Sequence, residues 1–121
     1  MVTTITLTLP LASVPNSNDR GHWSIGARKR RAMREAMGLL ARGATPVHGR
    51  VRLKVGFAFP DRRHRDLDNY EIKGAIDGLV DAGVIDEDRS TVLVSVTRWR
   101  MEHKSEWKYV ELRFEVEGVG L

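Results

Sequence analysis

The chain has 121 residues, ordinary hydrophobic content and no cysteine. Its length predicts one domain with a real but modest core. The missing cysteines exclude disulfides and thiolate metal sites and suit a reducing cytoplasm. No apolar run approaches the roughly twenty residues of a membrane span, the opening MVTTITLTLPLASVP lacks the basic stretch of a secretory leader, and the net charge of +4 is unevenly spread: residues 1–65 hold 13 lysines and arginines against three acids, residues 66–121 seven against 13.

In chain order, residues 3–9 alternate around Ile5, Leu7 and Leu9 and predict a first strand. Pro10 and Pro15 bracket its exit, and residues 15–23 form a polar loop containing Asn18, Arg20 and Trp23. Residues 24–43 predict a helix with Ser24 as N-cap, an apolar face of Met33, Ala36, Met37 and Leu40, and a stop at Gly43 and Pro46. Arg28, Lys29, Arg30, Arg31 and Arg34 crowd its first half with Glu35 as the only acid. They read either as a solvated face or, lacking i,i+4 partners, as phosphate contacts.

Residues 51–59 alternate cleanly, with Val51, Leu53, Val55, Phe57 and Phe59 on the buried side, and Pro60 ends the strand. Arg62, Arg63, His64 and Arg65 then lead into a second helix, predicted to begin at Asp68, with Ile72, Ala75, Ile76, Leu79, Val80 and Gly83 on one side. Gly74 and Gly78 share another sector. Each costs about 1 kcal/mol against alanine in a helix, which close approach of a second backbone, of DNA or of a second subunit would explain. Residues 91–100, with Val92, Val94 and Val96, and residues 108–117, with Val110, Leu112, Phe114 and Val116, are strands joined as an antiparallel hairpin. The expected fold is α+β: one domain over residues 1–121, with a mixed sheet of about four strands packed with two helices in the order β-α-β-α-β-β.

The carboxylates carry the chemistry. Asp66 and Asp68 stand two residues apart, and Asp86, Glu87 and Asp88 follow the second helix. Like charges 5 Å apart repel by roughly 3 kcal/mol per pair at an effective dielectric near 20, so convergence of Asp66, Asp68 and Asp88 calls for a cation. Oxygen donors without histidine spacing favour Mg²⁺, or Mn²⁺, over zinc. Such a site beside arginines fits phosphodiester hydrolysis, with Lys73 stabilising charge on the phosphate or the leaving oxygen. Competing readings exist. Asp68 with Glu71 makes a capping box. Asp77 and Asp81 fit exposed salt-bridge partners of Lys73. Pro60-Asp61 with Glu71-Ile72-Lys73 superficially matches the PD…(D/E)xK pattern of restriction-type nucleases. A non-catalytic basic DNA-binding phage protein accounts for the basic half alone, and a metal-independent toxin-type ribonuclease is a further class.

The run RDLDN at 65–69, then Lys73, Asp77-Gly78-Leu79 and AGVIDED from Ala82, resembles the RusA family of Holliday junction resolvases of phages and prophages. The resemblance implies a cytoplasmic (bacterial or phage-infected host), Mg²⁺-dependent homodimeric endodeoxyribonuclease of DNA recombination and repair. It would cut four-way junctions by paired nicks. Three aspartates and a lysine would be catalytic: Asp66, Asp68, Asp88 (with Asp86 as fallback) and Lys73, the aspartates as metal ligands. Arg20, Arg28, Lys29, Arg30, Arg31, Arg34, Arg62, Arg63, His64 and Arg65 would face DNA. One departure stands out: the family's lysine falls three residues after the asparagine, whereas Lys73 falls four after Asn69. On a continuous helix that extra residue would turn the side chain by about 100°.

Overall fold

A computed structural model describes residues 1–17, 19, 21, 23–102 and 108–120. The predicted order is found: β1 (Val2–Pro10), α1 (Trp23–Leu40), β2 (Val51–Ala58), α2 (Lys73–Asp81), β3 (Leu93–Arg100) and β4 (Tyr109–Gly118). The four strands form one mixed sheet in the order β1-β4-β2-β3.

The hairpin expected between the last two strands is not formed. β4 pairs antiparallel with both β1 and β2, and β3 pairs parallel with β2 at the sheet edge. The reason lies in the side chains. Val110, Leu112, Phe114 and Val116 of β4 are at most 1 % exposed, so β4 gains most from a central place. In β3, the residues opposite Leu53, Val55 and Phe57 are Val96, Arg98 and Arg100, and two arginines on the core side tolerate only an edge. The α2 crossover between β2 and β3 also favours parallel pairing. Val92, Val94 and Val96 do not share one face as expected. The register steps from Leu93 to Ser95 between Val51 and Arg52, so Val94 is the extra residue of a bulge.

Both helices pack on the sheet face carrying Ile5, Leu7, Leu53, Val55, Phe57, Leu112 and Phe114, in one hydrophobic cluster. In α1 the buried stripe runs through Met33 and Met37 to Ala41 just beyond the helix, while Leu40 is half exposed. The helix starts at Trp23, so Ser24 lies inside its first turn and is not the cap. Gly43, at φ +82°, supplies the left-handed turn beyond it.

The second helix begins at Lys73, five residues later than expected. Residues Leu67–Asn69 form a separate 3-10 turn capped by Asp66, whose carboxylate accepts from the Asp68 amide. A capping box from Asp68 to α2 is therefore ruled out. The glycine sector of α2 faces α1: a Cβ on Gly74 would lie 2.5 Å from the Arg30 carbonyl oxygen, and one on Gly78 2.7 Å from that of Arg34. The second backbone is α1 itself, which leaves this sector to neither DNA nor a second subunit. No helix among the described residues is long and apolar enough to cross a membrane.

Candidate functional site

The stretch that follows β2 leaves the sheet over an aromatic cluster. Phe57 and Phe59 stack at 5.9 Å, and Tyr70 leans on Phe59 at 5.3 Å. The guanidinium groups of Arg65 and Arg100 each lie 5.0 Å from the centre of the Phe59 ring. Arg65 also donates to Asp61 at 2.7 Å and to the Tyr70 hydroxyl at 3.1 Å. Its side chain is only 14 % exposed, so Arg65, expected to face DNA, braces the loop in this structure. Arg62, Arg63 and His64 are exposed on the same stretch, as are Asp66 and Asp68. On its far side the turn is tied to the N-terminal loop: the Ser17 amide donates to the Asn69 carbonyl at 2.8 Å and the Glu71 amide to the Pro15 carbonyl at 2.8 Å.

Lys73, the first residue of α2, donates to Asp77 at 2.9 Å and to Asp88. The latter contact brings the end of the acidic cluster back to the mouth of the helix. It raises the Lys73 pKa and holds the Asp88 carboxyl below the usual carboxylate range. Because residues 70–72 are not helical, the extra residue between Asn69 and Lys73 lengthens a non-helical connection and rotates nothing on a helix. Asp86 has a different task. It accepts from the Gly49 amide at 2.8 Å and contacts His48 Nδ1 at 2.9 Å, fastening the turn before β2. Of the two candidate aspartates, Asp88 meets Lys73 and Asp86 does not.

The arginines of α1 are better partnered than their own helix allows. Lys29 reaches Asp19 at 3.0 Å, Arg30 reaches Glu71 at 3.5 Å, and Arg34 forms a two-pronged bond to Asp81 at 2.6 and 2.9 Å. Three of the five basic side chains taken as unpaired are thus paired across elements, whereas Arg28 and Arg31 enter no ion pair among the described residues. Arg30, Arg31, Arg34, Lys73, Gly74 and Asp77 line a cleft of about 250 Å³ between the helices. Arg20 lies outside the described residues, with Asn18.

The oxygen donors suit a hard cation in kind, but their present grouping does not make a metal centre. Among the described residues no three histidine, aspartate or glutamate side chains are clustered closely enough to hold an ion. Asp88 is turned onto Lys73, and Asp66 onto the Asp68 amide. The restriction-type arrangement finds no support: Asp61 is spent on Arg65, Glu71 on Arg30, and residues 71–73 lie on no strand.

Sequence reasoning missed Asp61 and Tyr70 as bracing parts of this loop, and Arg98 and Arg100 of β3 as donors to its carbonyls. The signal for the last two was available: two arginines at i,i+2 spacing interrupt the apolar alternation of a strand. No protein-family model matches the chain, and no curated protein is recognisably similar to it in sequence.

Hydrogen bonds hold four aspartates below the ordinary carboxylate range: Asp61 through Arg65, Asp81 through Arg34, Asp86 through the Gly49 amide and Asp88 through Lys73. A carboxyl whose folded pKa is depressed contributes stability that is present above its unfolded value, near 3.9, and is lost as pH falls through the folded value. The melting temperature is therefore expected to fall as pH drops below about 4, and to fall less in Asp81→Asn. Thermal melts at pH 6, 4 and 3 check this; a wild-type midpoint unchanged down to pH 3 would contradict it.

Proposed function

We propose that this protein is a metal-dependent, structure-selective endodeoxyribonuclease of the junction-resolving type, working as a homodimer on four-way DNA with Mg²⁺ or Mn²⁺. The observation that carries the reading is the Lys73–Asp88 contact. It joins the acidic cluster to the start of α2, a few residues past Asp66 and Asp68, beside a cleft lined by arginines. An ordinary DNA-binding surface has no use for carboxylates at its basic centre, because they repel phosphate. A nuclease uses them to hold a cation.

Asp66, Asp68 and Asp88 would be its donors, and a divalent ion there would supply charge neutralisation at the phosphate and a more acidic bound water. Gathering three donors requires Asp88 to swing from Lys73, which frees the ammonium to meet the phosphate or the leaving oxygen. Arg28 and Arg31 on α1, and Arg62, Arg63 and His64 on the loop, would hold flanking phosphates without reading bases, as shape selection requires. Two sites related by a two-fold axis match paired nicks in a junction. A cytoplasmic location agrees with the cysteine-free chain.

The test is incubation of purified protein with a labelled four-way junction and with linear duplex of the same sequence, in Mg²⁺ and in Mn²⁺. Paired nicks in the junction alone are expected, with EDTA abolishing them. Tight binding without cleavage in either metal would replace this reading with a non-catalytic DNA-binding protein.

A further inference from the structure

The stretch bearing Asp66 and Asp68 has little regular structure of its own. Within it the Asn69 amide donates to the Asp66 carbonyl and the Tyr70 amide to the Leu67 carbonyl, Asp61 and Asp66 each cap an amide, and Arg65 bonds to Asp61 and the Tyr70 hydroxyl. Several of its carbonyls turn instead toward β3. Arg98 donates through one nitrogen to the carbonyls of Tyr70 at 2.8 Å and Leu67 at 3.3 Å. Arg100 donates through two nitrogens to those of Arg63 at 2.6 Å and Asp61 at 3.0 Å. Two of these carbonyls precede Asp66, that of Leu67 lies between the two aspartates, and that of Tyr70 follows Asp68.

We infer that Arg98 and Arg100 are positioning residues, which hold the Asp66–Asp68 turn against the sheet edge and so set where the two carboxylates stand. The inference rests on the nuclease reading of those carboxylates. Three features support it. The arginines occupy positions opposite Val55 and Phe57, where burial alone would select an apolar side chain, so their charge and fork shape have a use. Both are half-buried, and the donors that are engaged, one nitrogen of Arg98 and two of Arg100, go to backbone oxygen. Their base is a strand hydrogen-bonded along its length to β2, and a rigid base transmits position better than a loop does. A guanidinium is suited to this work because its planar donors bind several oxygens in fixed geometry, whereas an ammonium acts as a point charge.

Lysine variants separate this role from direct DNA binding, since lysine keeps the charge and the apolar stem but loses the fork. Arg98→Lys and Arg100→Lys are expected to bind the junction within about twofold of wild type. At saturating protein they should cleave it about ten- to a hundredfold more slowly, the range seen when the supporting partner of a metal ligand is lost. Mn²⁺ titration of the DNA-free variants should show an affinity weakened about tenfold, and backbone hydrogen exchange across residues 62–70 should accelerate while the exchange of β4 stays the same. Should a lysine variant melt below the assay temperature, Arg98→Gln and Arg100→Gln, which retain donors, take its place.

Variants that cut at the wild-type rate once saturated, with unchanged exchange in residues 62–70, would overturn the inference. So would a loss confined to junction affinity, which would make the arginines DNA contacts. A wild-type protein inert on every junction tested and without a saturable Mn²⁺ site would instead remove the nuclease reading, a different result from an active wild type with fully active variants.

Discussion

An Asp68→Asn variant is expected to bind a four-way junction as well as the wild type, or slightly better, and to cut it at least about a hundredfold more slowly, a loss of about 2.7 kcal/mol in transition-state stabilisation. The structure makes this substitution unusually clean. The Asp68 carboxylate is exposed, and only its backbone amide is engaged, by Asp66. Had Asp68 capped the following helix, losing its charge would cost up to about 1 kcal/mol of stability. The cap position of α2 is instead Ile72, so the melting temperature of Asp68→Asn should match that of wild type. Junction cleavage at fixed metal, gel-shift affinity and a thermal melt together decide the matter. Wild-type cleavage by the variant would remove Asp68 from the reacting set. A loss of binding equal to the loss of cleavage would make it a structural residue. Asp66 is a less clean target, because its side chain also holds the 3-10 turn.

The largest stability effect is expected at the helix contact. Alanine at Gly74 would press its methyl 2.5 Å from the Arg30 carbonyl, and alanine at Gly78 would meet the Arg34 carbonyl and the Met37 Cβ, both at 2.7 Å. These neighbours include rigid backbone, so the helices must separate. Alanine gains about 1 kcal/mol in helix propensity, but overpacking costs about 1–3 kcal/mol, occasionally more. Separation also strains the Arg34–Asp81 bond and the burial of Met33 and Met37. The net loss should be about 2 kcal/mol for either substitution, lowering the melting temperature by roughly 5–10 °C. The double variant should lose more than either alone. A midpoint unchanged or raised in Gly74→Ala would show that the helices can part at no cost.

What the chain decided by itself is local. The two-residue alternation through Val51–Phe57 and Val110–Val116 states which side chains face inward, because a strand presents alternate residues to opposite faces. The spacing of Met33 and Met37, and of Ile72, Ala75, Ile76 and Leu79, does the same for the helices. Element order and fold class follow, and the pairing of Asp66 with Asp68 is visible in the letters. Tertiary structure decided everything that depends on a neighbour. Periodicity reports that a face is buried but not against what. The central place of β4, the edge place of β3 and the α1 backbone over Gly74 and Gly78 were therefore open until the elements were packed. Charge behaves likewise. Arg30 and Arg34 lack partners along their own helix and find them on the neighbouring stretch, Lys73 finds Asp88 fifteen residues away, and Arg98 and Arg100 bind main-chain oxygens, which carry no mark in a sequence. Non-local pairing is won by total burial and hydrogen bonding over the whole chain, and those are properties of the packed molecule.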